Sequence, residues 1–143
     1  MKNLIFAISI FSYTLMHSQE TEVRKTIDIF FEAFHKRDTI MLKTVLGNEM
    51  RFQSISEKQG GSAIKTESAQ NFLISIAGIP PKLNFEEKLL SYKISSDGSL
   101  AHVWTPYEFY LDAKLSHSGV NSFTLFKENG FWKIVYCIDT RRK

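Results

Sequence analysis

Apolar side chains recur along residues 22–36 with the spacing of a helix. Val23, Ile27, Phe30, Phe31 and Phe34 fall on one stripe, and Glu22, Arg24, Lys25, Asp28, Glu32 and Lys36 lie off it. This predicts an amphipathic helix from about Glu22 to Lys36. Ile40, Met41, Leu42, Val45 and Leu46 form a second, shorter run, with Asp38 or Thr39 suited to its N-cap and Gly47 and Asn48 to its close. Met50 to Ser56 reads as a short strand with imperfect alternation, and Gly60-Gly61 as a loop. A third helix is expected from about Glu67 to Ala77. Ala69, Phe72, Leu73 and Ile76 give its apolar face, Thr66 or Ser68 its cap, and Pro80 and Pro81 prevent it from continuing past Gly78.

From Asn84 the period changes to two. Strands are predicted over Asn84–Ile94, Leu100–Leu111, Leu115–Lys127 and Phe131–Thr140. Asp97-Gly98, Asp112-Ala113 and Asn129-Gly130 supply the turns between them. Helices followed by a meander of long strands argue an α+β domain with helices on one sheet face. Pro106 sits mid-strand and cannot donate a ladder hydrogen bond, so it marks a bulge or an edge.

Composition changes this picture little. The chain has 143 residues, enough for one domain, and its 43% apolar and 23% charged content is that of a globular protein. Twelve Phe, five Tyr and two Trp either line a cavity or fill a curved sheet. The net charge of +3 is interleaved along the chain, and its one basic cluster, Arg141-Arg142-Lys143, reads as a solvated tail. Nucleic-acid binding would need a basic face. His17, His35, His102 and His117 show no metal-ligand spacing, and Gly60-Gly61 lacks the Lys and the length of a phosphate loop. No metal and no cofactor are expected. His35, in a charged run, reads as solvated.

Residues 1–18 read as a secretory signal peptide. Lys2 precedes an apolar run from Leu4 to Leu15, and Ser18 is a small residue before Gln19. Met16 sits where such a site prefers a small residue, and the other reading is a buried N-terminal helix. The expectation is an exported protein, periplasmic or secreted, without a membrane segment in its mature form, with 19–143 as a single domain. Cys137, the one cysteine, permits no internal disulfide and reads as a buried, inert thiol.

Two-residue turns at Asn129-Gly130 and Asp112-Ala113 would pair Asn121 with Ile138, Phe123 with Tyr136, His117 with Arg142, Glu108 with His117 and Trp104 with Asn121. One face would then carry Trp104, Glu108, His117, Asn121, Phe123 and Tyr136. The other would carry Thr105, Tyr107, Ser118, Cys137, Asp139 and Arg141. The first mixes aromatics with convergent polar groups, as ligand pockets do. A bulge would slip the pairing by one and bring Tyr107 or Asp139 into play instead. His117 beside Glu108 is either a general base with an orienting carboxylate or an ordinary cross-strand pair. Asp139 is either a buried base or the partner of Arg141. Tyr107 and Tyr136 either donate to a carbonyl or pack.

The order of elements, with Phe131-Trp132-Lys133-Ile134 closing the sheet after an Asn-Gly turn, resembles the nuclear transport factor 2-like (NTF2-like) superfamily and its SnoaL-like members. More narrowly, VWTPYEFYLDAKLSHSG with CIDTRR resembles a group of small exported domains labelled lumazine-binding. The resemblance implies a cone-shaped fold, with three N-terminal helices packed on a strongly bent antiparallel sheet around a pocket. It also implies a homodimer joined through the sheet. The superfamily hosts cyclases, isomerases, dehydratases and non-catalytic binders, so the function has to be argued from the site. The leading expectation is a non-catalytic binder of a small hydrophobic or heterocyclic molecule. Phe30, Phe34, Trp104, Tyr107, Phe123 and Tyr136 would line its pocket, and His117 and Asn121 would give it polarity. One alternative is a cofactor-free enzyme in which His117 or Asp139 is the general base and a Tyr holds the oxyanion. Another is a dimeric partner-binding module with a filled core.

Overall fold

The structure, a computed structural model, describes residues 2–58 and 61–143, with side chains described for 18–57 and 61–143. Three helices, α1 (Lys2–Lys36), α2 (Thr39–Val45) and α3 (Ala69–Ala77), pack on a seven-stranded sheet. The strands are β1 (Leu46–Lys58), β2 (Gly61–Ser68), β3 (Phe85–Leu89), β4 (Lys93–Asp97), β5 (Leu100–Leu111), β6 (Lys114–Glu128) and β7 (Phe131–Arg141). Neighbours run β2-β1-β7-β6-β5-β3, and β4 also pairs with β5. The sheet is antiparallel except for β1 against β7, which is parallel.

The stripe read on the first helix is its buried face. Val23, Ile27, Phe30 and Phe31 are buried, and Phe34 packs against them. The helix begins well before Glu22. The expected leader falls almost wholly on side chains outside the described residues. Among the described residues, no helix is long and apolar enough to cross a membrane. Asp38 caps α2, accepting from Met41 N at 2.9 Å. Gly47 and Asn48 do not close that helix: Leu46 is its C-cap, and the chain runs straight into β1. A Cβ on Gly47 would come within 3.1 Å of Val135 Cγ1, so its small size serves packing on β7.

Of the expected Gly60-Gly61 loop, Gly60 lies outside the described residues and Gly61 begins strand β2, which pairs with β1 in the register Ile55↔Ile64. Its side chains are almost all exposed, which is why no alternation announced it. Because β2 takes residues as far as Ser68, the third helix starts at Ala69, with Ser68 as its N-cap.

The strand expected over Asn84–Ile94 is two strands. β3 pairs with Tyr107–Leu111 and β4 with Leu100–Trp104. The break at Leu90–Tyr92 lies beside Pro106, which has no N–H to return. Leu90 N bonds the Pro106 carbonyl at 2.9 Å. On its other side Pro106 pairs with Val120 in an unbroken register.

Both central hairpins turn where expected. Asp112, Ala113, Asn129 and Gly130 all have positive φ (47°, 62°, 50° and 85°), as tight two-residue hairpin turns require. Within each hairpin, however, one residue bulges. Ser116 is extra between Tyr110↔Leu115 and Phe109↔His117. Val135 is extra between Leu125↔Ile134 and Thr124↔Tyr136. Each bulge shifts the register by one and exchanges faces beyond it. Glu108 therefore faces Ser118 rather than His117. Asn121 faces Asp139, Phe123 faces Cys137, and Trp104 faces Ser122.

Candidate functional site: a cavity under the helices

The concave face of the sheet and the helices enclose a cavity of about 410 Å³. One side is a wall of phenylalanines. Phe72 stacks on Phe52 with ring centroids 4.0 Å apart, and Phe30 lies 6.0 Å from Phe72 and 5.7 Å from Phe123. Phe34 from α1 completes the wall. These rings come from both ends of the sequence and meet because α1, α3, β1 and β6 converge there.

The opposite side is polar. The parallel β1–β7 register sets Ser54 beside Asp139 and Ser56 beside Arg141, and β6 brings Asn121 beside Asp139. Asp139 accepts from Ser54 Oγ and, at 2.8 Å, from Arg141 Nε. The Tyr107 hydroxyl lies 2.9 Å from the Thr140 carbonyl and 3.2 Å from Asp139 Oδ2. Burial first, and then the charge of Asp139, raise the Tyr107 phenol above its ordinary value. The salt-bridge reading of Asp139 is therefore the arrangement seen, with two further donors on the same carboxylate.

His117 lines the cavity, and among the described residues no carboxylate bonds its ring. It stacks on Phe109 at 4.8 Å, meets Tyr107 edge-on at 5.9 Å and lies 3.2 Å from Ser116 Oγ through Nδ1. Burial, and then the nearby Arg141 guanidinium, lower its pKa. Its expected partner, Glu108, lies away from the cavity and accepts from Tyr110 at 2.7 Å. Trp104 and Tyr136 also fail to reach the cavity. Trp104 is 45% exposed, and the Tyr136 hydroxyl donates to Gln53 Oε1, itself paired through its amide with Thr66. The bulges at Ser116 and Val135 account for this sorting. Of the residues singled out in the sequence, Phe30, Phe34, Tyr107, His117, Asn121, Phe123 and Asp139 come together, and Trp104, Glu108 and Tyr136 do not.

Glu87 is a cavity residue that the sequence reading missed, as it missed Phe52, Phe72 and Phe109. It accepts from Asn121 Nδ2 at 2.6 Å. Burial raises its carboxyl, the Asn121 bond pulls it down, the Asp139 charge raises it and the Arg141 charge lowers it, leaving it at about 7. A signal was present: Glu87 lies in phase with Phe85 and Leu89 on β3, and all three are more protected than Glu86 and Lys88 between them. His35 was misjudged as well. It is half-buried beside Phe34 and Phe85, and its Nε2 accepts the Glu87 backbone N–H at 2.9 Å. That bond requires a neutral ring, in keeping with a pKa lowered by burial. Cys137 is buried in the cavity wall, and burial pushes its thiol well above the ordinary range. Among the described residues, no three His, Cys, Asp or Glu side chains cluster to hold a metal.

No family model matches the sequence, and no curated protein matches it. Solved structures do. A candidate dehydratase of the NTF2-like family from Streptomyces avermitilis superposes with a TM-score of 0.66 at 14% identity, over 89% of this chain and 98% of its own. An NTF2-like protein from Cytophaga hutchinsonii gives 0.67 at 14% identity, over 84% and 95%. The fold is NTF2-like. Within it, the β subunit of a candidate aromatic-ring-hydroxylating dioxygenase from Novosphingobium aromaticivorans gives 0.73 at 7% identity, over 90% and 92%. NTF2-like proteins with such different names show that the fold carries no single activity. These likenesses support the NTF2-like fold and not the narrower exported group.

Proposed function

We propose that this protein is an exported, small-molecule-binding NTF2-like domain that holds an aromatic or heterocyclic ligand and performs no chemistry on it. The observation that carries the reading is the cavity of about 410 Å³, with a phenylalanine wall facing a polar side. An aromatic wall opposite placed polar groups is what small-molecule sites share. Neither group first considered as a base is arranged as one. His117 has no orienting carboxylate, and Asp139 is engaged by Ser54, Tyr107 and Arg141. Export rests on Lys2 and the apolar run Leu4–Leu15. Native mass spectrometry of the protein purified from its own source tests the binding role. A co-purifying adduct of a few hundred daltons is expected. Its consistent absence, with no thermal shift across aromatic and heterocyclic panels, would discard the proposal. N-terminal sequencing of the same material should begin at Gln19.

One observation favours a second reading. A carboxyl held at about 7 inside a cavity is suited to proton transfer near neutrality. On that reading the domain is a cofactor-free isomerase or dehydratase with Glu87, rather than His117 or Asp139, moving the proton. The named dehydratase among its structural relatives is in line with this. Turnover of the co-purified compound by the wild type and not by Glu87→Gln would select it.

A further inference from the structure

This inference rests on the ligand-binding reading and adds the polarity of the ligand. The hydrogen-bonding groups of the cavity are used unevenly. Asn121 turns its amide nitrogen to Glu87 Oε1, which fixes the side chain. Among the described residues, no hydrogen bond meets the Asn121 carbonyl oxygen or Glu87 Oε2. Although Asn121 is only 5% accessible, its oxygen stays open to the cavity, so a ligand donor there takes the place of water. Of the nearby donors, Ser54 and Arg141 Nε point to Asp139, and the Tyr107 hydroxyl is shared between Asp139 and the Thr140 carbonyl. At Asn121 and Glu87 the vacant positions are acceptors, and the walls around them are flat rings: Phe52 and Phe72 on one side, Phe109 stacked with His117 on another.

We infer that the cavity takes a flat aromatic ligand that presents N–H or O–H donors to Glu87 Oε2 and the Asn121 carbonyl oxygen, with its ring against the phenylalanine wall. A donor edge is met best by the ionised carboxylate. Binding therefore tightens as pH rises through about 7. A ligand presenting carbonyls would prefer the protonated acid and show the opposite slope. The charged or titratable groups around the cavity with Glu87 are His35 on α1, Lys65 and Glu67 on β2, Tyr107 on β5, His117 on β6, and Cys137, Asp139 and Arg141 on β7. Replacing Glu87 alone separates its contribution from theirs.

The test uses the full chain and three probes that do not titrate between pH 6 and 8. Benzimidazolin-2-one carries two N–H donors beside its carbonyl. Indan-2-one has the same frame with CH₂ in place of each N–H. Naphthalene is wholly apolar. Affinities are read from NMR titrations that follow the phenylalanine and Asn121 side-chain resonances. Benzimidazolin-2-one should bind at least about tenfold more tightly than indan-2-one at pH 8, and lose about tenfold between pH 8 and pH 6. In Glu87→Gln, which keeps an oxygen for Asn121, the pH slope should vanish. Equal affinity for benzimidazolin-2-one and indan-2-one, a flat wild-type profile or a reversed slope would overturn the inference and leave the binding reading standing. If none of the three probes perturbs the phenylalanine resonances, both fall together.

Discussion

The carbonyl oxygen of Thr140 stands 1.7 Å from the place a Cβ on Gly119 would occupy. The same carbonyl accepts from Tyr107, whose ring carbon Cε1 lies 3.0 Å from that Cβ position. Gly119 thus lets β7 and the Tyr107 ring close over one spot of β6, and the obstruction is backbone, which cannot rotate away. Gly119→Ala should destabilise the protein by about 1–3 kcal/mol or more. Urea unfolding should show a lower midpoint at unchanged slope. An unaltered midpoint would mean that the strands are not this close.

Glu87 should make stability depend on pH in a defined direction. A carboxyl whose pKa is higher in the folded than in the unfolded chain binds its proton more tightly when folded. Its cost is absent below the ordinary value of 4.5 and grows as pH rises through about 7. At full size that cost is on the order of 3 kcal/mol. Gln cannot ionise, so Glu87→Gln should gain stability over the wild type at pH 8 relative to pH 5 by up to that amount. Denaturant titrations at the two pH values measure it, and parallel behaviour of the two proteins would rule it out.

The two tryptophans report which sheet face is which. Trp104 is 45% exposed and Trp132 only 4%. In Trp132→Phe, the remaining indole should emit at long wavelength and be quenched readily by acrylamide. In Trp104→Phe, it should emit further to the blue and resist quenching. Equal quenching of the two would place Trp104 back on the concave side.

Cys137 should be chemically silent. Its thiol is buried and held well above the ordinary range, chiefly by desolvation, so the thiolate needed for alkylation is scarce. Iodoacetamide at pH 8 should label the native protein far more slowly than the urea-unfolded chain. Rapid native labelling would show that the cavity opens to reagent.

The helices and the long strands were legible because burial acts on them one face at a time. Val23 to Phe34 on α1 and the alternation along β5 each face a single core. Turn chemistry was legible too, since Asp112-Ala113 and Asn129-Gly130 lie where left-handed backbone is needed. The bulges were not. Ser116 and Val135 are ordinary strand residues, and nothing local distinguishes a bulged serine from a paired one. One inserted residue in each hairpin was enough to send Trp104, Glu108 and Tyr136 to the wrong side of the sheet and to bring Tyr107 and Asp139 in. The edge strand β2 was hidden for the opposite reason: exposed on nearly every position, it carries no pattern to read. Glu87 was legible from its phase with Phe85 and Leu89. It went unread because an isolated Glu in a charged run looks solvated.

The pairing of β1 with β7 has a consequence for biosynthesis. Ser54 and Asp139, bonded across that seam, are 85 residues apart. A nascent chain leaving the ribosome presents β1 and Phe52 long before the strand that covers them is made. Such a long-range parallel seam closes late and slowly. Until β7 is translated, β1 has no neighbour on that edge, so the sheet is completed only when the last strand is made.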